Sequence, residues 1–411
     1  MFLFRCISRY TAYFKSVIPL ALTAVNSHAR ECGEHHEEGV LGCNIVSDTC
    51  GRSRIIEVDS SDVACLERVQ WWIERERDCP LRIAVRFSGN EFQGHIPAWE
   101  KLSQRLSAGK VEHTFDLQNV GVESLLPFAV LLKRSGVVRL DECDLNTLEA
   151  LAGLELLREV HLSSCHGAFT LVPLLTCPNL TSIGVTDCPR VSSPEVLGRL
   201  RNLKEISLAD FSITSLDFLK DCTLLEYVNV RHCKNFLSLD GLSGIEKLKT
   251  VIACYSAIES IEHLAGCVAL ESVNVSGCRG LTSLEGLSGL EKLRTVNVSC
   301  TSIESIEHFA GCLELEKVNV SYCKNLTSLV GLSGLKKLKT LDASYTEIES
   351  VEHLSECEAL ESLDVSYCEP LASLSCLDGL PNLRSVKAIG TFVPPDTQLC
   401  HCPKVKYLVL K

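Results

Sequence analysis

The chain has 411 residues, a formal charge of −12, 46% apolar residues and 23 cysteines. That length and apolar content are enough to bury a sizeable core. The acidic balance excludes duplex nucleic acid as a partner, because phosphate binding needs a basic stripe.

Residues 1–30 contain no acid and carry Arg5, Arg9, Lys15 and Arg30 around an apolar stretch from Val17 to Val25, followed by Ser27, His28 and Ala29. Three readings of this segment stay open: an untargeted extension, a signal peptide with a small-residue cleavage site, and an organelle-import segment. The apolar stretch is too short for a transmembrane helix, so no transmembrane segment is expected.

Residues 31–110 carry no repeat phrase. The pattern predicts a strand over 54–58, a helix capped by Ser60 or Ser61 and running through Trp71 and Trp72, a strand over 81–86, and a helix from Pro97. Such a region makes a small N-terminal α/β cap. Cys32, His35, His36, Cys43 and Cys50 are the right donor types for zinc, but their spacing matches no paired-ligand pattern, so no metal site is assigned.

From residue 111 the chain repeats. Cys143, Cys188, Cys233, Cys278, Cys323 and Cys368 recur every 45 residues, as do Cys177, Cys222, Cys267, Cys312, Cys357 and Cys402. Each period holds two half-units. Short β-like runs centre on Val228, Val251, Val273, Val296, Val318, Leu341, Leu363, Val386 and Leu408, alternately 23 and 22 residues apart, and extrapolate back through Ile206, Ile183, Val160 and Val138 to Phe115. One coil reads Leu270, Val273, Val275, Cys278, Leu281, Leu284, which is the spacing of the leucine-rich repeat. The prediction is an α/β solenoid, a leucine-rich-repeat horseshoe of about 13–14 coils over residues 111–411. The small Cys, Thr or Ser after each strand suits a tight, partly polar bend.

Residues just after the first leucine of each coil alternate in sign: Lys204, Glu226, Lys249, Glu271, Arg294, Glu316, Lys339, Glu361, Arg384. On neighbouring parallel strands these charges attract, and a one-coil slip sets like beside like, so the column reads as register control. Glu259, Glu262, Glu304, Glu307, Glu347, Glu349 and Glu352 collect on the return side as a solvated face.

Ladder cysteines two coils apart lie roughly 10 Å from one another, beyond disulfide reach. Most of the 17 cysteines after residue 110 are therefore expected as buried free thiols; adjacent pairs such as Cys165 and Cys188 are geometrically able to bridge, but buried thiols are the default. The reading is a cytoplasmic or nuclear protein, with secretion and organelle import still open. Three of the five glycosylation-type sequons, at Asn274, Asn297 and Asn319, fall in mid-strand, where a glycan has no room.

No catalytic constellation emerges. The GLSG phrases at Gly241, Gly286 and Gly331 lack the Lys-Ser/Thr of a phosphate loop, and His263, His308 and His353 stand two coils apart, too far to share one metal ion. No enzyme activity and no cofactor are expected. What remains is the concave strand face, with Asn274, Asn297, Asn319, Asp342 and Asp364 in one column beside Ser276, Ser299, Ser321, Ser344 and Ser366. These small polar groups are expected to hydrogen-bond from coil to coil. Tyr255, Tyr322, Tyr345 and Tyr367 stand at the strand exits, either as an interface for a protein partner or as a stack over the bend. The terminal strand at Leu408, with no visible cap beyond it, is a second candidate surface, for self-association.

The strings Val318–Leu354 and Ile258–Cys267 resemble the leucine-rich repeats of the trypanosome expression-site-associated family, over roughly residues 140–411. Members of that family are described as adenylate cyclase regulators, and some carry a RING-type zinc finger ahead of the repeats. The resemblance implies a non-enzymatic regulatory or partner-binding protein. The N-terminal Cys and His residues here do not supply the eight ordered ligands of a RING. The alternatives carried forward are a ubiquitin-ligase component or substrate adaptor with an aberrant zinc module, and a secreted or surface recognition protein.

Overall fold

The computed structural model describes residues 112–410 together with the strand segments 44–47, 54–59 and 81–88. The first 30 residues, the candidate zinc cluster and the two helices expected near Trp71 and after Pro97 lie outside the described residues. The chain divides into two compact units, residues 1–179 with 190–192, and residues 180–189 with 193–411.

In the first unit, β1 (Asn44–Ser47) pairs antiparallel with β2 (Arg54–Asp59). From β2 the order is parallel and sequential through β3 (Leu81–Ser88), β4 (Glu112–Gln118), β5 (Ser135–Asp141) and β6 (Glu159–Ser163). Two strands that precede the first repeat phrase thus belong to the same parallel ladder as the repeats. One short helix, α1 (Ala129–Leu132), buries Leu131 and Leu132, and Phe128 at its start meets Phe115 edge-on at 5.2 Å.

The second unit begins with β7 (Ser182–Thr186) and β8 (Glu205–Ser207). Nine further three-residue strands, β9 to β17, start at Tyr227, Thr250, Ser272, Thr295, Lys317, Thr340, Ser362, Ser385 and Tyr407. Each pairs in parallel with the next, so that Val251, Val273, Val296, Val318 and Leu341 stand directly beside one another. All fourteen strand centres read from the repeat spacing lie inside a strand. Alternation explains the register: Val273 and Val275 are fully buried while Asn274 between them points outward. A fully buried Val or Leu contributes about 1.5–3 kcal/mol, and each coil supplies several, but only when a neighbouring coil covers it.

The return segments are single 3₁₀ turns, such as Glu262–Leu264 and Glu285–Leu287. A serine two residues ahead accepts a main-chain N–H from the turn, as Ser260 does from Glu262 and Ser283 from Glu285, both at 3.2 Å. These short hydroxyl turns fit the rise per coil that the strands impose, which leaves no length for a full helix.

Both cysteine ladders answer one need. A thiol donates to a main-chain carbonyl of the preceding coil: Cys278 to Ala253 at 3.2 Å and Cys368 to Ala343 at 3.1 Å at the strand exit, Cys267 to Leu242 at 3.3 Å and Cys402 to Leu377 at 3.1 Å after the turn. Those carbonyls sit where the ladder has ended, and a small buried donor satisfies them. Thr301 and Thr346 fill the alternate coils, donating to Val298 at 2.6 Å and Ala343 at 2.7 Å.

Three cations of the alternating charge column pair with the acid of the coil before, as expected. Lys249 meets Glu226 at 2.6 Å, Lys339 meets Glu316 at 2.6 Å, and Arg384 meets Glu361 at 3.2 Å, each cation reaching back to the coil before it. The pairing draws Glu226 and Glu316 below the usual carboxylate range, first through the lysine hydrogen bond.

Candidate protein-binding face

Among the described residues, each strand from β4 to β16 is left through a residue in the left-handed backbone region. The column includes Glu142 and Ser164 in the first unit, and Asp210, His232, Tyr255, Gly277, Cys300, Tyr322, Tyr345, Tyr367 and Gly390 in the second. Gly, Asn and Asp suit that conformation, whereas a side chain with a bulky Cβ substituent is strained there. The four tyrosines occupy it with φ of 58–60°.

Tyr322, Tyr345 and Tyr367 form one continuous stack, with ring centroids 4.3 and 4.4 Å apart and planes within 9° and 16° of parallel. They remain 45%, 37% and 46% exposed. Desolvation within the stack, and then the neighbouring Tyr322, raise the Tyr345 phenol above its ordinary value. Tyr255 does not join them. It stacks instead on His232 at 4.9 Å, with planes 4° apart. Gly277 and Cys300 fill the two coils between.

Glycine closes each aromatic run. A Cβ on Gly277 would come within 2.6 Å of Cδ1 of Tyr255, and one on Gly390 within 2.8 Å of Cδ1 of Tyr367. Each terminal ring thus lies flat over a glycine. His232, Gly277 and Gly390 escaped the sequence reading, although they share the 22/23 spacing of the tyrosines.

Asn274, Asn297, Asn319, Asp342 and Asp364 stand in register on consecutive strands, as the sequence implied. The expected coil-to-coil network among them and the serines does not form. Instead each Oδ1 turns back along its own strand and accepts the main-chain N–H two residues on: Ser276 at 3.1 Å, Ser321 at 2.9 Å, Ser366 at 3.0 Å. The Ser299, Ser321 and Ser344 hydroxyls donate to the same oxygens at 2.7–2.8 Å. The local bond wins because an Asx-type turn needs no adjustment of the neighbouring coil. Asn229 is an exception, donating to Ser207 of the preceding coil at 3.1 Å. At the far end of the column Lys387 pairs with Asp364 at 3.2 Å.

The histidine column has a tying role. The Nδ1 atoms of His263, His308 and His353 bond Ser243 at 3.4 Å, Ser288 at 2.9 Å and Ser333 at 3.0 Å, each one coil back, and His263 also meets Asp240. Among the described residues no group of three or more His, Cys, Asp or Glu is arranged to hold a metal ion, and no helix is long and apolar enough to cross a membrane.

Comparison with known proteins gives the fold. An internalin from Listeria monocytogenes superposes with a TM-score of 0.66 at 16% identity, over 77% of this chain and 93% of that one. A leucine-rich-repeat protein of Leptospira interrogans gives 0.66 at 13% identity, over 84% and 92%. The mouse RP105/MD-1 complex gives 0.57 at 16% identity, over 78% of this chain and 56% of that one. No family profile matches the sequence, and no curated protein matches it. The chain is a leucine-rich-repeat solenoid.

Proposed function

We propose that this chain is a non-enzymatic interaction protein that engages a protein partner over the outward strand face of its second unit, with Tyr322, Tyr345 and Tyr367 as anchors. One observation carries the reading. Three large aromatic side chains on consecutive coils are kept exposed at backbone positions that disfavour them, in a column that elsewhere mostly takes small or polar residues such as Asn119, Ser164, Asp187, Asp210, Gly277 and Gly390. Ring stacking offsets that strain, but the large exposed area the three rings keep calls for a functional reason. Tyrosine offers rigid area with a polar tip, the chemistry of binding hot spots.

Asn274, Asn297 and Asn319 have their carbonyl oxygens engaged within the coil, which leaves their amide N–H groups directed to a partner. Asp342 adds negative charge at the tyrosine end, where Asp364 is paired with Lys387. The mouse neighbour is a protein–protein complex, which agrees with a protein ligand. The resemblance in repeat wording names an adenylate cyclase as the first partner to test, and the buried free thiols favour a cytoplasmic or nuclear site of action.

The test begins with affinity purification and mass spectrometry to identify the partner. Its Kd is then measured for the parent and for Tyr322→Ala/Tyr345→Ala/Tyr367→Ala. The expected loss is more than about 2 kcal/mol, roughly thirtyfold, in a protein that still folds. An unchanged Kd in a folded triple variant overturns the assignment of the face.

A further inference from the structure

From Cys233 onward the strand-exit column of the second unit alternates cysteine with hydroxyl residues: Cys233, Ser256, Cys278, Thr301, Cys323, Thr346, Cys368. Two of these thiols face a hydroxyl on the coil before, Cys323 against Thr301 at 3.4 Å and Cys368 against Thr346 at 3.3 Å. In the first unit the alternation fails. Cys143 and Cys165 occupy the same position on successive coils, each two residues beyond the registered pair Asp141 and Ser163. Their main chains are joined there, since the N–H of His166 donates to the carbonyl of Cys143 at 3.2 Å. The neighbouring Cys165 thiol and burial together push the Cys143 thiol well above its ordinary range.

Neighbouring parallel strands run about 4.8 Å apart. That separation falls inside the Cα window of about 4.4–6.8 Å that a disulfide requires, whereas alternate coils fall outside it. From this juxtaposition we propose that Cys143 and Cys165 are a disulfide-forming pair, a covalent clip between successive coils that closes on reaction with a low-molecular-weight disulfide oxidant.

The chemistry balances by exchange. The thiolate of one cysteine attacks the oxidant RSSR, forming a mixed disulfide and releasing RS⁻. The second thiolate attacks the protein sulfur of that mixed disulfide, forming the Cys143–Cys165 bond and releasing a second RS⁻. Two electrons pass from the cysteines to RSSR, and the two thiol protons end on two RSH. Both side chains are fully buried, so the exchange takes place during folding or through local opening of the coil. The thiol bonds of Cys143 to Leu117 and Asp141, and of Cys165 to Leu140 and Ser163, are given up, a cost that the new covalent bond offsets.

The experiment uses the full chain with oxidised glutathione, applied both to the folded protein and during refolding from urea. Free thiols are then alkylated and the protein digested with trypsin. Cys143 is the one cysteine of peptide 140–158, while Cys165 shares peptide 159–190 with Cys177 and Cys188. The expected product joins the two peptides, with fragment ions assigning the link to Cys165. Cys165→Ser abolishes it, Cys188→Ser leaves it, and the oxidised protein unfolds at higher urea than the reduced form. If Cys165→Ser does not fold, the fragment ions of the parent protein decide alone. Recovery of Cys143 alkylated or as a glutathione adduct in both arms, or its linkage to Cys177 or Cys188, overturns the proposal.

Discussion

The main-chain oxygen of Ile261 occupies the space where a Cβ on Gly286 would stand. The 3₁₀ turn of one coil rests directly on the backbone of the coil before it, and the same contact recurs between Leu216 and Gly241 and between Ile306 and Gly331. The first glycine of the GLSG phrase is therefore a packing requirement between coils. Gly289, the second glycine, has φ of +73° and open space around it.

The two glycines should respond differently. Gly286→Ala forces backbone apart from backbone and is expected to lower stability by about 1–3 kcal/mol. Gly289→Asn keeps a residue tolerated in the left-handed region and is expected to stay within about 0.5 kcal/mol of the parent. Urea unfolding of both variants checks this, and equal losses would show that the contact is not the cause.

The charge column makes a prediction that depends on salt. Lys339→Glu sets three acids side by side, Glu316, the new residue and Glu361, in place of one close pair. Because these side chains are largely exposed, the expected loss is about 0.5 kcal/mol at low salt. It should shrink toward nothing at about 1 M salt, where screening acts within a few ångströms. A loss that persists at high salt would point to packing.

The repeat region was legible because one coil states the rule for all. The period fixed the strand centres from Val138 to Leu408, the buried ladders and the charge register. What escaped the sequence were features that depend on the neighbouring coil's atoms. Gly277 and Gly390 read as turn residues until the rings of Tyr255 and Tyr367 lie across them. Asn274 and Ser276 read as coil-to-coil partners until an Asx-type turn takes both. The segment before residue 111 carries strands at the expected places, but the parallel order from β2 through β3 to β4 could not be read, because no repeat phrase announces it.

Tyr345 separates folding from binding. A ring at φ of 59° is strained by about 1–2 kcal/mol, and its stacking on Tyr322 and Tyr367 returns about 0.5–1.5 kcal/mol per pair. Tyr345→Asn relieves the strain and loses the stack, so the expected change in stability is within about 1 kcal/mol. Partner affinity should fall nonetheless. If the variant unfolds well below the parent in urea, the tyrosines are structural and the proposed face loses its main support.

A pH effect is expected near the last coil. His401 bonds Asp378 through its ring nitrogen at 2.5 Å and its main-chain N–H at 2.7 Å. The contact raises the histidine pKa and lowers that of the aspartate. With the histidine raised, its contribution is complete below the unfolded value of about 6.5 and is lost as pH rises through the folded value. With the aspartate depressed, its contribution is complete above about 4 and is lost as pH falls through its own folded value. Stability of this coil should therefore peak between these limits. Hydrogen exchange in the last coil, followed against pH, should show the peak in the parent and a flatter profile in His401→Gln. The amplitude is small because solvent screens both groups.

The thiols offer a test of the stacked core and of the compartment together. Burial pushes Cys278, Cys312 and Cys357 up to about 11, so almost none of each is thiolate near neutral pH, and the thiolate is the reactive form. Cys300 and Cys400 are exposed. Alkylation of the native protein at about pH 8 should modify Cys300 and Cys400 first, with the buried ladder cysteines following only on the timescale of opening. Under denaturing, non-reducing conditions, protein taken from its own cell should yield most of the 17 cysteines after residue 110 as free thiols. Peptide mapping by mass spectrometry distinguishes the outcomes. Fast native labelling of Cys278 or Cys312 would contradict the buried ladder. A majority of these cysteines already oxidised on isolation would move the protein out of a reducing compartment.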